Sequence, residues 1–126
     1  MKDKLKLVFR VLLGLMMLVF GLNKFFSFMP MPPMPELAGQ FMGALVKSGY
    51  LMTIIAVVEI ITGAFILFDK YLSLALVVLF PVMLNAFLFH LFLDPAGIMG
   101  AGFALFLIIY LMYQNKSDYA SLFKSN

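Results

Sequence analysis

At 126 residues the chain is long enough for one domain, yet 64% of it is hydrophobic and only 12% charged, against roughly 45–50% and 25% in water-soluble domains. A soluble chain this short has too little interior to hide so many Leu, Phe, Met and Ile side chains, so lipid is the solvent that the composition calls for. The absence of cysteine excludes disulfides, Cys-held iron–sulfur clusters and Cys-ligated zinc, and the net charge of +3 lies at segment ends, without the basic stripe that nucleic-acid binding needs.

The first apolar run, LKLVFRVLLGLMMLVFGL at 5–22, follows Lys2, Lys4 and Lys6 as a signal peptide would. No Ala-x-Ala-like cleavage site comes after it, and we read it as a first membrane span. Residues 23–48 form the one long connection. Phe25, Phe26 and Phe28 open it, and MPMPPMP, with four prolines within 30–35, favours an extended path. ELAGQFMGALVK then predicts a short interfacial helix, with Pro35 or Glu36 in its first turn and Lys47 in its last. Three further runs read as spans: residues 49–68, 71–93 and 96–113. Each run has 18 to 23 residues, enough at 1.5 Å per residue to cross a core of about 30 Å, and in lipid each must be helical.

The predicted fold class is therefore all-α: a polytopic membrane protein, one domain over 1–126, with a four-transmembrane-helix bundle and an interfacial helix in its first outer loop. Four spans put Lys2, Lys4, Lys6, Arg10, Lys70, Lys116 and Lys124 on one side and only Lys24 and Lys47 on the other. Seven against two places both termini in the cytoplasm. Arg10, near the inner end of the first span, is expected to reach lipid phosphates.

Glu59 is the most informative residue. It falls mid-span, where a charge costs several kcal/mol on insertion scales, so it is expected to face protein or water and to be either protonated or supplied with a donor. Helical spacing sets Ala56, Thr62 and Gly63 beside it, a small and polar face that leaves room for a ligand or for close packing. Asn85 lies four residues after Pro81, which frees backbone groups near residue 77. Its amide is read as a donor to Glu59, to a ligand carbonyl or to another helix. His90, the chain's one histidine, is read as a proton relay or quinone ligand, oriented by Asp94 four residues on, or as an interfacial residue. Five steps of 100° separate Asn85 from His90 by about 140°, so the two do not share a narrow stripe. Asn23 and Lys24 end the first span on the same outer side as His90. Met29, Met31 and Met34 are gap-filling thioethers before they are a copper site.

LGLMMLVFGLNKF at 13–25, AGQFMGALVKSGYL at 38–51, AVVEIITGAFIL at 56–67 and YLSLALVVLFPVMLNAFLFH at 71–90 together resemble the DoxX family of small four-helix membrane proteins. The resemblance covers about residues 7–112 and maps Asn23, Lys24, Glu59, Asn85 and His90 onto the family's recurring polar positions. The family takes its name from a membrane subunit linked to thiosulfate:quinone oxidoreductase. Other relatives are tied to membrane redox complexes, and distant animal relatives look like assembly factors.

Three functions follow as expectations. The first is a quinone-associated oxidoreductase subunit of a prokaryotic inner membrane, with Glu59 and His90 as proton-handling residues, Asn23, Lys24, Asn85 and Thr62 lining the ligand, and Asp94 orienting His90. The cofactor would be quinone, since no haem, iron–sulfur or zinc site is recognisable, and a membrane redox partner would supply electrons. The second is a small-molecule or proton-coupled transporter, expected as a homodimer. The third is a non-catalytic assembly or accessory protein, for which a bundle filled by its own side chains would speak.

Overall fold

A computed structural model describes residues 2–29 and 32–125. Among them every regular element is helical: α1 (Lys2–Phe26), α2 (Glu36–Lys47), α3 (Leu51–Leu67), α4 (Leu72–Phe92) and α5 (Ile98–Gln114). Two 3-10 segments, Pro95–Gly97 and Lys116–Phe123, complete the order. The first makes the tight link from α4 to α5. The second is a C-terminal element that hydropathy does not signal.

Three stretches are long and apolar enough to cross a membrane: Asp3–Phe26, Leu72–Phe92 and Pro95–Gln114. The count rises to four if α2 and α3, bent by 86° at the break between them, make one broken span. The bend has a local cause. Ser48 follows α2, its hydroxyl accepts from the amides of Tyr50 and Leu51, and Gly49 sits at φ +87°, a conformation that glycine adopts without the Cβ clash other residues meet. The serine closes one helix and starts the next.

Four helices close a ring, with α1 against α3 and α5, α3 against α4, and α4 against α5. The centre is solid. Leu13, Met17, Ile66, Leu76, Leu79, Leu107, Ile108 and Leu111 are all fully buried there. Lipid tails are as apolar as leucine, so close packing holds such helices together where water exclusion cannot. The tightest seam joins α1 to α3. A Cβ on Gly14 would lie 2.8 Å from the Cβ and amide nitrogen of Leu67, and one on Gly63 would lie 2.9 Å from the Cβ of Met17. Gly21 is closed by Ile60 at 2.7 Å and the Ala56 carbonyl at 3.0 Å. Gly14 near Leu67 and Gly21 near Ala56 and Ile60 fix an antiparallel register in which α1 ascends as α3 descends.

Arg10 corrects the expectation of a phosphate anchor. Its Nη1 donates to the carbonyls of Ile66 at 2.8 Å and Leu67 at 2.6 Å. These belong to the last turn of α3, whose carbonyls have no partner within the helix and carry the negative end of its dipole. The guanidinium therefore serves the seam, turned inward by the register that the glycines impose. At the same end Tyr119 of the C-terminal 3-10 segment donates to the Ser73 carbonyl at 2.8 Å, and Ser73 donates to Asp118 at 2.5 Å, docking the tail on α4.

Candidate functional site

The α1–α3 seam also creates the one buried Lys–Glu ion pair among the described residues. Glu59 is eight residues from either end of α3 and only 3% exposed. Its neighbours on that face, Ala56, Thr62 and Gly63, are buried with it. The Lys24 ammonium stands 2.7 Å from Glu59 Oε1. Helical geometry explains how a lysine near the C-terminal end of α1 reaches the middle of α3. Each Cα–Cβ bond tilts toward its helix N-terminus, which carries Lys24 back along α1 and Glu59 toward it along antiparallel α3. Gly21, one turn before Lys24, admits the Glu59 Cβ at its surface. The glycine permits the approach, and the lysine supplies the charge.

Glu59 Oε1 is buried, and the Lys24 ammonium at 2.7 Å is its partner in a charge-assisted contact. The Lys24 side chain keeps 24% of its surface exposed and sends its ammonium to the Phe20 carbonyl at 3.5 Å. An acid enclosed by protein is thus tied to a partly exposed base.

The remaining predicted residues lie in separate places. The Thr62 hydroxyl donates to the Val58 carbonyl at 2.6 Å within its own helix. Asn23 accepts the Met29 amide at 2.8 Å and so shapes the start of the α1–α2 connection. His90 packs edge-on against Phe89, its Nδ1 is 3.1 Å from the Asp94 carbonyl and 3.8 Å from the Asp94 carboxylate. α4 ends at Phe92, so Asp94 steadies the ring chiefly through its backbone from the following turn. Gly97 lies directly under that ring, where a Cβ would collide with Nδ1 and Cε1. Asn85 is on the outer surface of α4, exposed and without a hydrogen bond among the described residues. The structure brings Lys24 to Glu59 and Asp94 to His90. It does not bring Asn85 or His90 to Glu59. Met31 lies outside the described residues, and among those described no group of three His, Asp or Glu side chains is placed to hold a metal ion.

Two shallow depressions mark the surface at opposite ends of the molecule. One, of about 380 Å³, is lined by Lys6, Asp69, Ser73, Asn115 and Asp118. The other, of about 460 Å³, runs along α2 past Glu36, Gln40, Gly43 and Lys47. Neither includes Glu59.

A protein-family model described as DoxX matches residues 5–91, from the start of α1 almost to the end of α4. No curated protein and no solved structure matches the chain.

Proposed function

The chain belongs to the DoxX family, and from that premise we propose that it serves as a non-catalytic subunit of a quinone-linked membrane redox assembly, with the Glu59–Lys24 pair as an internal fastener. The observation that carries this reading is the solid interior: fully buried Leu13, Met17, Leu76, Leu79, Leu107 and Ile108 occupy the space a ligand in the bundle would need. Glu59, Asn85 and His90 do not fit a quinone placed among them, since they surround no common space. In the same reading the bent α2–α3 pair completes a fourth crossing, α2 lies along the outer interface, and seven of the nine basic residues hold both termini in the cytoplasm of a prokaryotic cell.

A second reading is favoured by one specific observation. A buried carboxylate whose charged partner is a lysine that reaches the bundle's edge is the arrangement through which a proton or an outer-face ligand would act. Glu59→Gln separates the two. In membranes of a null strain complemented with this variant, quinone reduction per mole of the chain stays within about twofold of the parent if the pair is a fastener. A loss of tenfold or more at unchanged chain abundance would overturn the accessory role and establish the proton-handling one.

A further inference from the structure

The outward faces of α1 and α5 are hydrocarbon, as lipid requires: Leu12, Leu15 and Val19 on α1, Phe103, Phe106 and Ile109 on α5. The outward face of α4 breaks this rule. Leu74, Val78, Pro81, Asn85, Leu88 and Phe92 are all exposed. Their spacing is 4, 3, 4, 3, 4, and at 100° per residue they fall within about 80° of arc. That is the seam of a left-handed helix pair, with Asn85 at one of its contact positions.

Asn85 lies seven residues before the end of α4, about 10 Å below its outer limit at 1.5 Å per residue. It offers two N–H donors and a carbonyl where acyl chains offer nothing in return. Among the described residues no group hydrogen-bonds its side chain. What does so must carry a donor and an acceptor at that depth, opposite a complementary apolar ridge. We propose that this occupant is a second copy of the chain, joined α4 to α4 about a twofold axis.

An amide is its own complement under such an axis, because each Asn85 donates to the other's Oδ1 while accepting in return, and isologous contacts of this kind are the commonest symmetric assembly. The ridge is equally self-complementary: Pro81 and Leu88 flank the amide about one turn either side, Val78 lies two turns before it, and the longer Leu74 and Phe92 lie at the two ends. A single polar residue at one seam position is the device that fixes register in helix pairs. The proposal concerns a surface remote from Glu59 and stands whichever reading of that pair is correct.

The chain's lack of cysteine makes the test direct. Val78→Cys and Leu88→Cys are introduced singly into the full chain, in native membranes, with Leu15→Cys and Phe106→Cys as lipid-facing controls. A symmetric α4 seam brings like positions within the 4.4–6.8 Å Cα separation a disulfide needs, so mild oxidation is expected to yield covalent dimer at 78 and 88 in at least about tenfold excess over 15 and 106. Equal yields at all four positions, or cross-links from α4 only to a different protein, would overturn the proposal. Asn85→Leu, on an exposed site with no side-chain hydrogen bond among the described residues to lose, is expected to weaken self-association in dilution-dependent energy transfer by about 3- to 30-fold, the worth of an interhelical hydrogen bond in a bilayer. Asn85→Gln is expected to retain most of it. An Asn85→Leu dimer as tight as the parent would refute the role of the amide.

Discussion

Removing either half of the Lys24–Glu59 pair is expected to have unequal effects, and the inequality follows from where each side chain can go. At 2.7 Å the attraction is about 6 kcal/mol for an effective dielectric constant of 20. Desolvation offsets several kcal/mol of it, so the net worth of the pair is small. Truncation is a different quantity. Lys24→Met leaves Glu59, 3% exposed, as a buried acid with no counter-charge and no hydrogen bond to Oε1, which costs about 3 kcal/mol, the lower end for breaking a buried pair. Glu59→Gln leaves a lysine that is already 24% exposed and that can extend its ammonium to the outer surface, so about 1 kcal/mol is expected. Lys24→Met combined with Glu59→Gln is expected to cost less than the sum of the two. Reversible unfolding in mixed detergent–SDS micelles measures all four states of the cycle. The argument fails if Glu59→Gln is the more damaging single change, or if the two costs simply add.

Four further outcomes are expected. Arg10→Leu removes two charge-assisted hydrogen bonds to the last turn of α3 and is expected to cost about 2–3 kcal/mol in the same unfolding assay, with Arg10→Lys recovering part of it. Gly63→Ala and Gly14→Ala force the α1–α3 seam open and are expected to cost about 1–3 kcal/mol each, while Gly39→Ala and Gly100→Ala, with nothing within 4 Å of the added Cβ, stay near neutral. Gly97→Ala is expected to displace the His90 ring from the α4–α5 turn, seen as a changed imidazole chemical shift, with α1 and α3 resonances unmoved. Burial holds the Tyr119 hydroxyl above its ordinary ionisation range, despite its bond to Ser73. A group with a raised pKa favours the fold below its unfolded value, so C-terminal docking is expected to hold up to about pH 10 and to loosen above it, measured as proteolysis of the tail; Tyr119→Phe should abolish that pH step.

The helices were legible because lipid leaves so few alternatives. Runs of apolar residues bounded by Lys, Asp and Pro had to be helical, and ELAGQFMGALVK between Pro35 and Ser48 carried its own start and stop. Glu59 could likewise be placed inward from the cost of a buried charge alone. Its partner could not. Asn85 is nearer to Glu59 in sequence and shares a hairpin with it, whereas Lys24 resembles a topology-setting residue at a helix end. Only the register of α1 on α3 decides between them. That register is written in Gly14, Gly21 and Gly63, whose meaning depends on which helix each one meets. Arg10 was misplaced for the same reason, and the C-terminal segment was missed because its docking rests on Tyr119 and Asp118 reaching Ser73, three residues with no shared pattern.

The polar groups of the bundle divide by what satisfies them, and the division has a consequence for evolution of the surface. Arg10, Thr62 and His90 meet backbone carbonyls, which every helical chain of this topology provides whatever its side chains. Such residues can persist while their surroundings change. Lys24 and Glu59 depend on each other, and Gly21 must stay small for them to meet, so those three positions are constrained as a unit. The Asn85 side chain has no hydrogen-bond partner among the described residues. An amide left facing lipid brings no packing gain and an unmet pair of donors, so a leucine there would suit an isolated bundle better. That asparagine occupies the position makes the α4 face the part of the surface most in need of a second molecule.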